Sequence, residues 1–127
     1  MRLALTGLIA LATGLAGCSG EAASELAGAP DFDSMSPDEH LACTIDISAY
    51  TYLLAAGTIP EDRAMAGNAA LAAGWHQNAY AAAPGAEKNP DLVNRKRADL
   101  MAQDSPKAIT KRAAACIDVA LARQVAD

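Results

Sequence analysis

The sequence predicts an all-α fold, a small antiparallel bundle of about four helices, from its composition, its helix-start signals and the period of its apolar residues. Of 127 residues, 52% are hydrophobic but only 4% are aromatic, and alanine occurs 32 times. The apolar content is therefore mostly methyl groups, which favour helix over sheet and build thin cores. Three segments open with a capping residue followed by proline: Ser36-Pro37, Asn89-Pro90 and Ser105-Pro106. A side-chain acceptor at the cap and a proline at the first helical position together deal with the orphan N–H groups of a first turn. The length suits a single ordinary domain.

The first helix is expected from Pro37 to about Ala56, with Ser36 and Glu39 at capping-box spacing and Gly57 as a left-handed terminator. A second start is read at Thr58-Ile59-Pro60-Glu61, again with capping-box spacing, and the stop is Pro84-Gly85. A third helix should occupy Pro90 to about Gln103, and a fourth Pro106 to about Val125. Cys43, Ile47, Tyr50 and Leu54 fall at i, i+4, i+7 and i+11, and Ile109, Ala113, Cys116 and Ala120 repeat that spacing. Each stripe marks one inward helix face. Short connections between the helices imply antiparallel neighbours.

The chain opens MRLALTGLIALATGLAGCSG, with one cation at Arg2 and an uncharged apolar run from Leu3 to Leu15. That run is shorter than the ~20 residues that span a hydrocarbon core, so it reads as an export signal and not as a membrane anchor. Leu15-Ala16-Gly17-Cys18 resembles the lipobox of bacterial lipoproteins. The resemblance implies a signal peptide over 1–17, cleavage before Cys18, and acyl chains on Cys18 that hold the protein on a membrane. Ser19 in the next position implies passage to the outer membrane, facing the periplasm. Residues 18–35 are rich in Gly, Ser, Ala and acids and read as a flexible tether of roughly 20 to 25 Å span. A recognition segment around Phe32 is the alternative there. The bundle domain then covers 36–127.

With Cys18 assigned to lipid, two cysteines remain in an exported chain, one on the inward face of the first helix and one on that of the last. Cys43 and Cys116 are expected to form one disulfide. The alternative, a redox or metal-binding thiol pair, has no Cys-x-x-Cys spacing behind it.

The formal net charge is −5, and removal of residues 1–17 leaves 9 basic and 15 acidic side chains, net −6. Such a surface repels polyanions and excludes nucleic acid as the main partner. No cofactor motif is present. The stretch from Ala64 to Ala86 carries no formally charged side chain, and within it Trp75, His76 and Tyr80 form the candidate binding patch, since pockets enrich aromatic and polar groups. The plainer alternative packs Trp75 in the core and leaves His76 facing water. His40, beside Asp38 and Glu39, could reach a metal only if His76 and a third ligand joined it, and no metal is expected. Gly67 and Gly74 share one face and suggest close approach of another helix, within the bundle or across a dimer. Asp91, Arg95 and Asp99 read as an ion-pair ladder, or, with Lys96, Arg97, Lys107, Lys111 and Arg112, as a small basic patch for an anionic partner.

No catalytic constellation is apparent. The expected function is a lipid-anchored, noncatalytic module of the cell envelope that binds a protein or peptide partner. The rivals are an envelope enzyme or enzyme subunit using His76, Tyr80 and a carboxylate, and a structural spacer dimerising through the second helix.

Overall fold

The helices begin where side chains can take the orphan N–H groups of a first turn. A computed structural model describes residues 31–126. The expected signal peptide, Cys18 and the tether up to residue 30 lie outside the described residues. A short 3-10 turn, Phe32–Ser34, precedes four α-helices: α1 Pro37–Ala55, α2 Arg63–Ala81, α3 Leu92–Gln103 and α4 Pro106–Ala126. Among the described residues there are no strands, and the expected all-α bundle is the observed fold.

The capping box of α1 is complete. The Glu39 N–H donates to Ser36 Oγ at 3.2 Å, and the Ser36 N–H donates to Glu39 Oε2 at 2.6 Å. At the other end Gly57 has φ +72°, Thr58 N–H donates to the Leu53 carbonyl and Gly57 N–H to the Leu54 carbonyl. This is a Schellman closure, and it explains why the second helix does not start at Thr58. Thr58 is consumed in ending α1, and α2 is capped instead by Asp62, whose Oδ1 accepts from Met65 N–H at 3.1 Å. The third helix likewise starts at Leu92 and not at Pro90. Asn89 Oδ1 accepts from Asp91 N–H at 3.0 Å, an Asx turn that holds Pro90 and Asp91 outside the helix. Ser105 caps α4 as expected, accepting from Ala108 N–H at 3.1 Å.

Helix α1 is the centre: α2, α3 and α4 all pack against it, α2 also packs on α4, and α2 and α3 scarcely touch. Ile47, Tyr50, Ala113, Ile117 and Ala120 form the main core, which carries both cysteines of the Cys43–Cys116 disulfide, with Cα atoms 5.4 Å apart. Arg112 ties three segments together. Its Nε donates to Asp46 Oδ1 on α1 at 3.0 Å and its Nη2 to Asp104 Oδ2 beyond α3 at 2.6 Å. Arg112 is therefore committed within the fold and does not contribute to a basic patch. Nor does the expected ladder form, since Arg95 pairs with Glu87 at 3.1 Å and with neither Asp91 nor Asp99. A Cβ added at Gly67 or Gly74 would meet nothing within 4 Å, so neither glycine marks a close helix approach inside the bundle.

Residues 31–35 also depart from expectation. Assigned to the tether by composition, they pack on the bundle through Phe32, which is only 4% exposed.

Candidate functional site

The three residues of the sequence-derived patch go to three different places. A helix turns about 100° per residue, so Trp75 is turned away from His76, whereas Tyr80 lies one turn further along the same buried face of α2 and packs at a different level. Trp75 is half-buried at the edge of the main core. Tyr80 is buried with Leu41, Ile45 and Leu92, and its hydroxyl accepts from Glu87 N–H at 2.8 Å, bracing the loop between α2 and α3.

His76, expected at the surface in the plainer reading, is fully buried. Its Nε2 lies 2.9 Å from the Cys116 carbonyl and its Nδ1 lies 3.0 Å from Nδ1 of His40. A carbonyl only accepts, so Nε2 of His76 carries the hydrogen. A neutral imidazole has one N–H, so Nδ1 of His76 is the acceptor and His40 donates to it from Nδ1. The Phe32 ring covers both imidazoles, with centroids 4.6 Å from His40 and 4.9 Å from His76. Burial pushes both histidines below their ordinary value. Glu39, the Phe32 carbonyl and Asp33 partly oppose this at His40, and the Cys116 carbonyl opposes it at His76, where His40 adds to the lowering. Among the described residues no group of three or more His, Cys, Asp and Glu side chains is placed to hold a metal ion.

The open feature with binding character lies beside this site, along α1. Because α2 and α3 both rest on α1 without closing on each other, a groove of about 560 Å³ runs between them. Its floor is Thr44, Ser48, Thr51, Tyr52 and Ala55 of α1, and its walls are Ala73, Gly74 and Gln77 of α2 and Val93 and Arg97 of α3. Thr44 and Ala55 are eleven residues apart, which makes the floor about 16 Å long, or three helical turns. The hydroxyls of Thr44 and Thr51 donate to carbonyls one turn back, at 2.9 Å each, so the lining is largely carbon.

One charged side chain breaks that apolar surface. Arg97 lies over the Tyr52 ring, 5.2 Å from its centroid, and Nη1 donates to Ser48 Oγ at 3.1 Å. Among the described residues no carboxylate pairs with Arg97. Beneath the lining, Gln77 Oε1 is buried and has no hydrogen-bond partner among the described residues. Tyr52 is 53% exposed and presents its ring at the groove.

The sequence patch of Trp75, His76 and Tyr80 contains neither Tyr52 nor any other residue of the groove. The signal available was a second stripe on the first helix, Thr44, Ser48, Thr51 and Ala55 at i, i+4, i+7 and i+11, made of small residues that a core would not choose. None of the described helices is long and apolar enough to cross a membrane. No family model, no curated protein and no solved structure matches the chain.

Proposed function

We propose that the chain is a lipid-anchored, noncatalytic module of the cell envelope whose α1–α2–α3 groove binds a helical segment of a partner protein. The lipobox-like Leu15-Ala16-Gly17-Cys18 supports the anchoring, with the leader over 1–17 and Ser19 directing the protein to the outer membrane.

The single observation that carries the binding reading is the unfilled position on α1, with Arg97 at its rim. A helix there would complete the ring of neighbours around α1, and the small residues of the floor let a backbone approach closely. Helix-in-groove recognition needs an apolar face about three turns long and a few polar contacts to set register. An acidic residue of the partner would meet Arg97. An enzyme site built on His76 and Tyr80 has less behind it, because no carboxylate hydrogen-bonds His76 and the Tyr80 hydroxyl is taken by a loop amide.

The test is a photoreactive amino acid at position 52 in the native envelope, with the attached peptide sequenced. Attachment to a segment with helical apolar spacing and an acidic residue, abolished by Gly74→Trp, supports the reading. Absence of adducts, or adducts unaffected by Gly74→Trp, overturns it. Anchoring is tested separately by Cys18→Ala, which should abolish acyl labelling; unchanged labelling refutes the lipobox assignment.

A further inference from the structure

We propose that Phe32 and the His40–His76 pair form a pH-sensitive clasp, which holds residues 31–35 on the bundle while the pair carries at most one proton and releases them when it takes a second. The geometry is independent of the groove.

In the neutral pair each Nδ1 and the Nε2 of His76 have one role apiece: His40 Nδ1–H donates to His76 Nδ1, and His76 Nε2–H donates to the Cys116 carbonyl. One nitrogen is left with a free lone pair, Nε2 of His40. A first proton can go there without disturbing either hydrogen bond; burial opposes the resulting cation, and Glu39, the Phe32 carbonyl and Asp33 partly offset that cost. A second proton has only His76 Nδ1 to occupy. That would set two N–H groups head to head across 3.0 Å, inside a site where His76 has no exposure. Two interacting sites titrate as a pair, and here the doubly charged state is incompatible with the packed one.

The part that can yield is the lid. Phe32 contacts both rings, and Arg123 lies over the Phe32 ring, 5.1 Å from its centroid, while pairing with Asp33 at 3.1 Å. Those contacts, with Met35 packed against the main core, dock the segment. The capping box at Ser36 starts α1 without help from Phe32, and the disulfide holds α1 to α4. Local opening of residues 31–35 therefore leaves the helices intact. On the reading that Cys18 is anchored, opening lengthens the connection to the membrane by up to about 17 Å, five residues of extended chain. The charged groups facing the pair are Glu39 of α1, Asp33 of the turn and Arg123 of α4; α2 brings only His76 itself.

Phe32 is the one phenylalanine in the chain, so 4-fluorophenylalanine labels the lid alone. The fluorine resonance of the full chain should move from a docked to a free position as pH falls below the ordinary histidine range, about 6.5, while far-UV circular dichroism keeps its helical signal. Asp33→Asn should retain the transition. His40→Gln should lose it, because an amide can flip to meet either state of His76. The proposal is overturned if the resonance stays docked to about pH 4, if it moves together with loss of helicity, if Asp33→Asn abolishes the transition, or if His40→Gln leaves its midpoint unchanged. Should His40→Gln not fold, the comparison of fluorine and helicity curves in the unsubstituted chain decides.

Discussion

His76 donates from Nε2 to the carbonyl of Cys116, the residue whose sulfur closes the disulfide to Cys43. One residue of α4 thus fixes both the covalent link to α1 and the orientation of the buried imidazole on α2. A covalent link and a buried hydrogen bond among α1, α2 and α4 thus meet at one residue.

Reduction should therefore loosen more than a single link. Closing a loop of about 74 residues restricts the unfolded chain by roughly 4 kcal/mol in the chain-entropy model, a large share of the ~5 to 15 kcal/mol that keeps small domains folded. Thermal unfolding with and without dithiothreitol should show a clear fall in Tm on reduction. An unchanged Tm would mean that the alanine-rich core holds α4 without the disulfide.

Stability should also depend on pH in a definite direction. His40 and His76 are held below their ordinary value, mainly by burial, so the fold favours their neutral forms. Their contribution is complete above the unfolded value of about 6.5 and is lost as pH falls through it, because the unfolded chain then binds more protons. Asp46, which burial raises despite Arg112, acts in the opposite sense. Urea midpoints measured from about pH 7.5 to about pH 5 should decline, and His76→Gln should flatten the decline. A rising midpoint would show that Asp46 outweighs the histidines.

Arg112→Ala should leave the Asp46 carboxylate buried at 7% exposure without its cation and detach Asp104. Losing one partner of a largely buried charged pair costs about 1 to 3 kcal/mol, discounted here because Arg112 itself is 41% exposed. Chemical denaturation should show this loss, and Asp46→Asn in the same chain should recover part of it by removing the stranded charge. Additive losses would mean that the pair is not coupled.

The helices and the disulfide were legible because they rest on local devices and on periodicity. Ser36, Glu39, Gly57 and Ser105 act within four residues of themselves, and the two cysteine stripes repeat at a helical period. The errors arose where one residue had two possible local roles. Thr58 could cap a helix or close the preceding one, and the Gly57 closure prevailed. The site was less legible because it depends on pairs far apart in the chain: His40 with His76, Tyr52 with Arg97, Phe32 with Arg123. Nothing in the spacing of Trp75, His76 and Tyr80 tells which face of α2 meets α1. An acid-rich, glycine-rich flank also hid Phe32, whose ring docks because two aromatic imidazoles lie in reach.

The groove reading is tested most directly through Arg97, which supplies the cation that a partner's acidic residue would meet. Yield of the position-52 crosslink in the native envelope should fall sharply with Arg97→Glu and persist with Arg97→Lys, since charge outlasts the loss of the guanidinium fork at an exposed rim. Equal yields from the two variants would contradict an acidic helix in the groove.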